Sequence, residues 1–150
     1  MRICISLGCS EYDSATNLPA AARDAESIFK ILTDSSIGNY ETSFSVKIEN
    51  PTLDQIRKSL LSVYGLALDV LTIYFSGHGF FKDGVYYICP RDCIPDKISM
   101  TGFSLSELFR ILNEIHPSQT NIIIDSCHAG GLVGDLSQLL KPEIFGDQGG

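Results

Sequence analysis

The chain has 150 residues, of which 44% are apolar, 19% charged and 9% aromatic; at this length roughly 68–70% of the unfolded surface can leave water and form a real core. Those values exclude a disulfide-stapled mini-protein, a coiled coil and a disordered chain. Eleven basic against eighteen acidic residues leave a formal charge of −7, which opposes general attraction to nucleic acid or to an anionic membrane surface.

Residues 2–7 read as a short buried strand ending in Gly8, followed by a polar loop over 10–17. Pro19 is placed to open a helix over 18–32, where Leu18, Ala21, Ala22, Ala25, Ile28, Phe29 and Leu32 recur at helical spacing. Residues 43–48 alternate, with Phe44, Val46 and Ile48 on one side and Ser45 and Lys47 on the other, as in a half-buried strand. Thr52 and Gln55 form a capping-box pattern before a helix whose stripe is Ile56, Leu60, Leu61 and Tyr64. The run from Val70 to Phe75 is almost continuously β-branched and aromatic, as a central parallel strand requires, and it ends in Ser76-Gly77-His78-Gly79. Two short β-like stretches, 79–82 and 85–89, flank Gly84 as a hairpin. Ser104 with Glu107 is a second capping-box pattern, opening a helix marked by Leu105, Leu108, Phe109, Leu112 and Ile115, with His116 as its cap and Pro117 as its stop. A second continuous apolar strand, 121–124, runs into Asp125-Ser126-Cys127-His128-Ala129-Gly130-Gly131.

The five cysteines, Cys4, Cys9, Cys89, Cys93 and Cys127, are odd in number and form no C-x-x-C pair, so free thiols in a reducing, cytoplasmic compartment are expected. The N-terminus lacks the apolar region of a signal peptide. The weakly charged window 59–81 is broken by Gly65, Asp69 and the Ser76-Gly77-His78 step, so no membrane span is expected.

Strand and helix segments in this order call for a mainly parallel α/β sheet with helices on its faces, where chemistry gathers at the carboxyl ends of the strands. Two apolar strands end in ionisable clusters flanked by glycines. Cys127 supplies a sulfur, and His78 a base or cationic partner that lowers a thiol's pKa. The amides of Gly79 and Cys127 are natural donors to an oxyanion formed beside that sulfur.

These two clusters, with His78 standing 49 residues before Cys127, resemble those of caspase-like cysteine peptidases, and more closely the metacaspase and paracaspase branch. The resemblance implies a three-layer caspase-like fold over 1–150, the large-subunit portion of the catalytic domain, without its C-terminal strands. It implies cleavage of a protein or peptide substrate after arginine or lysine, with Cys127 as nucleophile, His78 as proton donor to the leaving amine, and the Gly79 and Cys127 amides as oxyanion donors. Asp125 and Asp24, the latter in the Asp24-Ala25 step, would form an acidic pocket for the basic side chain. Residues 86–92, Tyr-Tyr-Ile-Cys-Pro-Arg-Asp, resemble the segment that follows the family's histidine. Family members that bind calcium carry a run of extra acids; here only Asp92 and Asp96 stand nearby, and no cofactor is expected.

A C-terminal small subunit or further sequence is expected to complete the sheet, and proteolytic processing or a regulatory partner to activate the enzyme. The alternative is a catalytically silent caspase-like scaffold that binds a protein partner; the presence of both His78 and Cys127 weighs against it. A nucleotide-binding flavodoxin-like fold is disfavoured because no phosphate-binding glycine motif follows any strand.

Overall fold

Along residues 2–8 two kinds of side chain alternate, Ile3, Ile5 and Leu7 against Cys4, Ser6 and Gly8, and this alternation divides the molecule into a layer on each side of a sheet. The structure is a computed structural model that describes residues 1–126. In chain order its elements are β1 (Arg2–Gly8), α1 (Ala21–Thr33), β2 (Val46–Glu49), α2 (Leu53–Leu61), β3 (Val70–Ser76), β4 (Gly79–Lys82), β5 (Val85–Ile88), α3 (Ile98–Thr101), β6 (Phe103–Ser104), α4 (Leu105–Ile115) and β7 (Gln119–Asp125). The main sheet is parallel throughout, in the order β2-β1-β3-β7.

One face of this sheet carries Ile3, Ile5, Leu7, Leu71, Ile73 and Phe75, all buried against Ile56 and Leu60 of α2 and Leu105, Leu108 and Leu112 of α4. Burial of each such side chain contributes roughly 1.5–3 kcal/mol, so this layer is the main core. The other face is more polar. Ser6, Thr72 and Ser76 are buried there, and each buried hydroxyl must find a partner or cost stability. Ser6 Oγ donates to the Ala25 carbonyl of α1 at 2.7 Å, while Thr72 Oγ1 meets Tyr40 Oη at 2.8 Å and accepts from Asn121 Nδ2 at 3.1 Å. Helix α1 rests on this face so closely that a β-carbon at Gly8 would stand 2.6 Å from the Ala21 carbonyl oxygen and 2.7 Å from Ala25 Cβ.

The first helix begins at Ala21 rather than at Pro19, because residues 19–20 form a turn and Ala20 offers no capping side chain. Its open amides are met from outside: Ser10 Oγ accepts from the Ala22 N–H at 2.8 Å and the Leu18 carbonyl from the Ala21 N–H at 3.1 Å. The strand expected over 43–48 starts only at Val46. Ser45 Oγ accepts from the Cys4 N–H at 3.0 Å, replacing a backbone partner, and Phe44 is left 46% exposed in the preceding turn.

The Thr52–Gln55 capping box is made in both directions, at 2.9 and 3.2 Å. Because α2 ends at Leu61, the expected stripe fails at its far end: Leu61 is 69% exposed and Tyr64 also faces water, while Val63 turns inward. Ser104 caps α4 by accepting from the Glu107 N–H at 3.0 Å. The Glu107 carboxylate, however, binds Arg57 of α2 through Nε at 2.7 Å and Nη2 at 2.9 Å, tying together the two helices of the apolar layer. His116 ends α4 in the left-handed conformation with φ 64°.

The hairpin around Gly84 forms as β4 and β5, and a strand not expected from the sequence, β6, extends it into a three-stranded antiparallel sheet. One cysteine expectation is corrected. Cys89 and Cys93 are joined in a disulfide, since the turn closed by the Cys93 N–H and the Pro90 carbonyl at 3.0 Å brings their Cα atoms to 5.6 Å. Cys4 and Cys9 remain free and buried. The bridge removes part of the argument for a reducing compartment. Among the described residues no helix is long and apolar enough to cross a membrane.

Candidate active site

Parallel pairing fixes where neighbouring strands end. Gly8 pairs with Ser76 and Ser76 with Asp125, so β1, β3 and β7 finish at one level. The Gly77 N–H carries the pairing one step further by donating to the Asp125 carbonyl at 3.2 Å. His78 follows Ser76 by two residues, and Cys127 follows Asp125 by two. Cys127 itself, with its expected thiol and amide roles, lies outside the described residues.

His78 is half-buried and held from three directions. Its backbone N–H donates to Tyr12 Oη at 2.8 Å, its carbonyl accepts from the Cys89 N–H at 2.9 Å, and its Nε2 lies 2.6 Å from the Thr16 carbonyl oxygen. The ring stands between Tyr12, at 4.7 Å, and Phe80, at 6.0 Å between centroids. A carbonyl can only accept, so the hydrogen bond to Thr16 places a proton on Nε2 and leaves Nδ1 as the nitrogen able to exchange one. Sequence reading missed both Tyr12 and Thr16. The only signal was a tyrosine set in an otherwise polar loop, 10–17, and nothing local ties that loop to a histidine more than sixty residues away.

Glycine is required on both sides of this histidine. Gly77 has φ 157°, and a β-carbon there would stand 2.6 Å from Tyr12 Oη. At Gly79 a β-carbon would collide with the Tyr86 hydroxyl and approach Ser126 Oγ to 2.6 Å. Hairpin register sets the direction of the Gly79 amide. The two-residue loop closes on the Lys82–Val85 pair, and the Cys89 N–H bonds the His78 carbonyl, so the intervening Gly79–Ile88 pair is a non-hydrogen-bonded one. The Gly79 N–H therefore points away from β5.

Asp24, in the first turn of α1, and Asp125, at the end of β7, come from positions a hundred residues apart and line one cavity of about 270 Å³ together with Ser76, Gly77 and Ser126. The two expected pocket acids thus line one cavity, which Gly77, the residue before His78, also borders. Tyr74 Oη donates to Asp125 Oδ2 at 3.3 Å. Burial, reinforced by the Asp125 carboxylate, pushes the Tyr74 phenol above its ordinary pKa. Asp92, one of the two acids considered for calcium, accepts from the Leu53 N–H at 3.0 Å. Among the described residues no three His, Cys, Asp or Glu side chains gather as metal ligands would.

The arrangement can present a basic side chain to two carboxylates, hold an imidazole in one tautomer, and offer an amide at the adjoining turn. A comparison with curated proteins found no significant match. A family model described as the caspase domain matches residues 1–147, and the chain therefore belongs to the caspase-domain family of cysteine peptidases.

Proposed function

We propose that the chain is a cysteine endopeptidase of the metacaspase or paracaspase branch that cleaves proteins after arginine or lysine. The observation that carries this reading is the cavity shared by Asp24 and Asp125 at the strand ends, bordered by Gly77 just before His78. A guanidinium entering it would gain charge-assisted, bidentate hydrogen bonds that an aliphatic or acidic side chain could not make.

In this reading His78 Nδ1 takes up the Cys127 thiol proton, and the resulting thiolate attacks the carbonyl carbon of the basic residue. The resulting oxyanion is stabilised by the amides of Cys127 and Gly79, the latter turned away from β5. His78 Nδ1 donates a proton to the departing amine, the C–N bond breaks, and a thioester remains. Water then attacks the thioester, His78 takes up its proton, and the acid product leaves with the thiolate restored. The His78–Thr16 contact supports the assignment of Nδ1 to this proton transfer.

Completion of the sheet by a small subunit or further sequence is supported by β7, whose outer edge pairs with no strand among the described residues. Beside that edge, Ile122 and Ile124 line a largely apolar cavity of about 400 Å³ with Phe109 and Leu112 of α4. Activation by processing, or by a regulatory partner that covers this edge, accords with the same feature.

The test is cleavage of a peptide series varied only at the residue before the scissile bond, by the full chain and by its Cys127→Ala and Asp125→Ala variants. Cleavage confined to arginine and lysine, abolished by Cys127→Ala, is expected. Asp125→Ala should reduce arginine cleavage far more than thiol alkylation. Robust cleavage by the Cys127→Ala variant, or a preference for acidic residues, overturns the reading.

A further inference from the structure

The central strand β3 carries a tyrosine, Tyr74, on the polar face that it shares with Thr72 and Ser76. The side chain is 5% exposed. Its hydroxyl lies beside the Ser76 side chain, donates to Asp125 Oδ2 at 3.3 Å and feels the Asp24 carboxylate. A phenylalanine would fill the same volume, so the hydroxyl adds something that packing does not need. What it adds is a bond to one oxygen of a pocket acid. Asp125 is the last residue of β7, where the regular pairing with β3 stops, and Tyr74 is the one donor shown on its carboxylate among the described residues.

The plane of a carboxylate matters differently to the two basic side chains. A guanidinium is a flat fork that needs both oxygens coplanar with it, whereas an ammonium is a compact charge with rotatable donors that follows a carboxylate into any plane. We propose that Tyr74 determines specificity within the acidic pocket, holding the Asp125 carboxylate in one plane and so favouring arginine over lysine before the scissile bond. This rests on the pocket reading given above. The raised pKa of the buried phenol is consistent with it, because the hydroxyl stays protonated and able to donate throughout the neutral range and above.

The experiment compares wild type with Tyr74→Phe, in the full chain, on two peptides that differ only in arginine or lysine before the cleaved bond. For arginine kcat/KM should fall about tenfold, the loss of one hydrogen bond to a charged group together with the order it imposes. For lysine it should change less than about twofold, so that the arginine-to-lysine ratio drops about fivefold or more. Both values are read on one preparation, so a smaller folded fraction lowers them together and leaves the ratio untouched. The rate of Cys127 alkylation should match wild type. An unchanged ratio, or equal loss on both peptides, overturns the role of Tyr74 while leaving the pocket in place. A wild-type chain that cleaves after neither basic residue overturns the pocket and this inference with it.

Discussion

The Tyr12 hydroxyl accepts from the backbone N–H of His78 at 2.8 Å while its ring lies 4.7 Å from the imidazole, tilted by 54°. A single side chain therefore restrains the histidine through both its main chain and its ring. Tyr12→Phe removes the first restraint and keeps the second. A fully buried amide without its acceptor costs about 1–3 kcal/mol; the half-buried His78 amide should cost toward the lower end of that range, and the melting temperature should fall by a few degrees. Peptide cleavage should fall about tenfold at unchanged KM, since the substrate pocket is not touched. Steady-state kinetics and a thermal melt check both, and full activity with a wild-type melt would show that the contact restrains nothing.

Gly8 is the point of closest approach between β1 and α1, the helix that carries Asp24. Gly8→Ala must push the Ala21–Ala25 turn outward, an overpacking cost of about 1–3 kcal/mol. The displacement reaches Asp24 directly, and KM for an arginyl peptide should rise while thiol alkylation at Cys127 continues at its normal rate. Chemical denaturation and kinetics on the same variant test the two effects.

Burial pushes the Cys9 thiol up to about 11, and the Cys4 thiol shifts in the same direction for the same reason. Folding therefore favours the protonated thiol. The contribution is fully present below the ordinary thiol value near 9, and is lost as pH rises from about 9 to about 11, with an upper bound of about 3 kcal/mol for Cys9. Denaturation midpoints should be flat with respect to these thiols up to pH 9 and decline beyond it. At pH 8 iodoacetamide should leave Cys4 and Cys9 unmodified in the folded chain and label both after unfolding, as peptide mass spectrometry would show.

The Cys89–Cys93 bridge closes a short loop whose Arg91 carbonyl accepts from the Asp13 N–H at 3.0 Å and whose Cys89 N–H donates to the His78 carbonyl at 2.9 Å. A crosslink over so short a loop stabilises by about 2 kcal/mol in the chain-entropy account. Reduction, or the double Cys89→Ser and Cys93→Ser variant, should lower the melting temperature of the full chain by several degrees. Non-reducing peptide mapping should recover residues 89 and 93 on one linked fragment. An identical melt with and without reductant would count against the bridge.

Much of the architecture was legible before the structure because its causes are local. The Thr52–Gln55 capping box is made as expected, the α4 apolar stripe faces the core, and the hairpin turns at Gly84, because caps, helical spacing and turn residues act within a few positions. Expectations failed where a distant partner decided the outcome. Ser10 from a preceding loop meets the Ala22 amide of α1, Ser45 turns toward Cys4 before β2 has begun, and Glu107 binds Arg57 of α2. The polar face beneath α1 was hidden for the same kind of reason. In a parallel strand the run Val70 to Phe75 looks continuously apolar, and only the packed layers reveal that Thr72 and Tyr74 face a different helix from Leu71, Ile73 and Phe75.

By itself the amino-acid sequence determined the kind of fold and the placing of a histidine and a pair of acids at strand and helix ends, since these follow from periodicity, glycine position and residue chemistry along a short stretch of chain. Tertiary structure alone decided that Asp24 and Asp125 share one cavity, that Tyr74 grips the second of them, and that Tyr12 and Thr16 hold His78. Each of those relations joins residues more than fifty positions apart. Their geometry is set by strand register and by the close seat of α1 on Gly8, which no local pattern encodes.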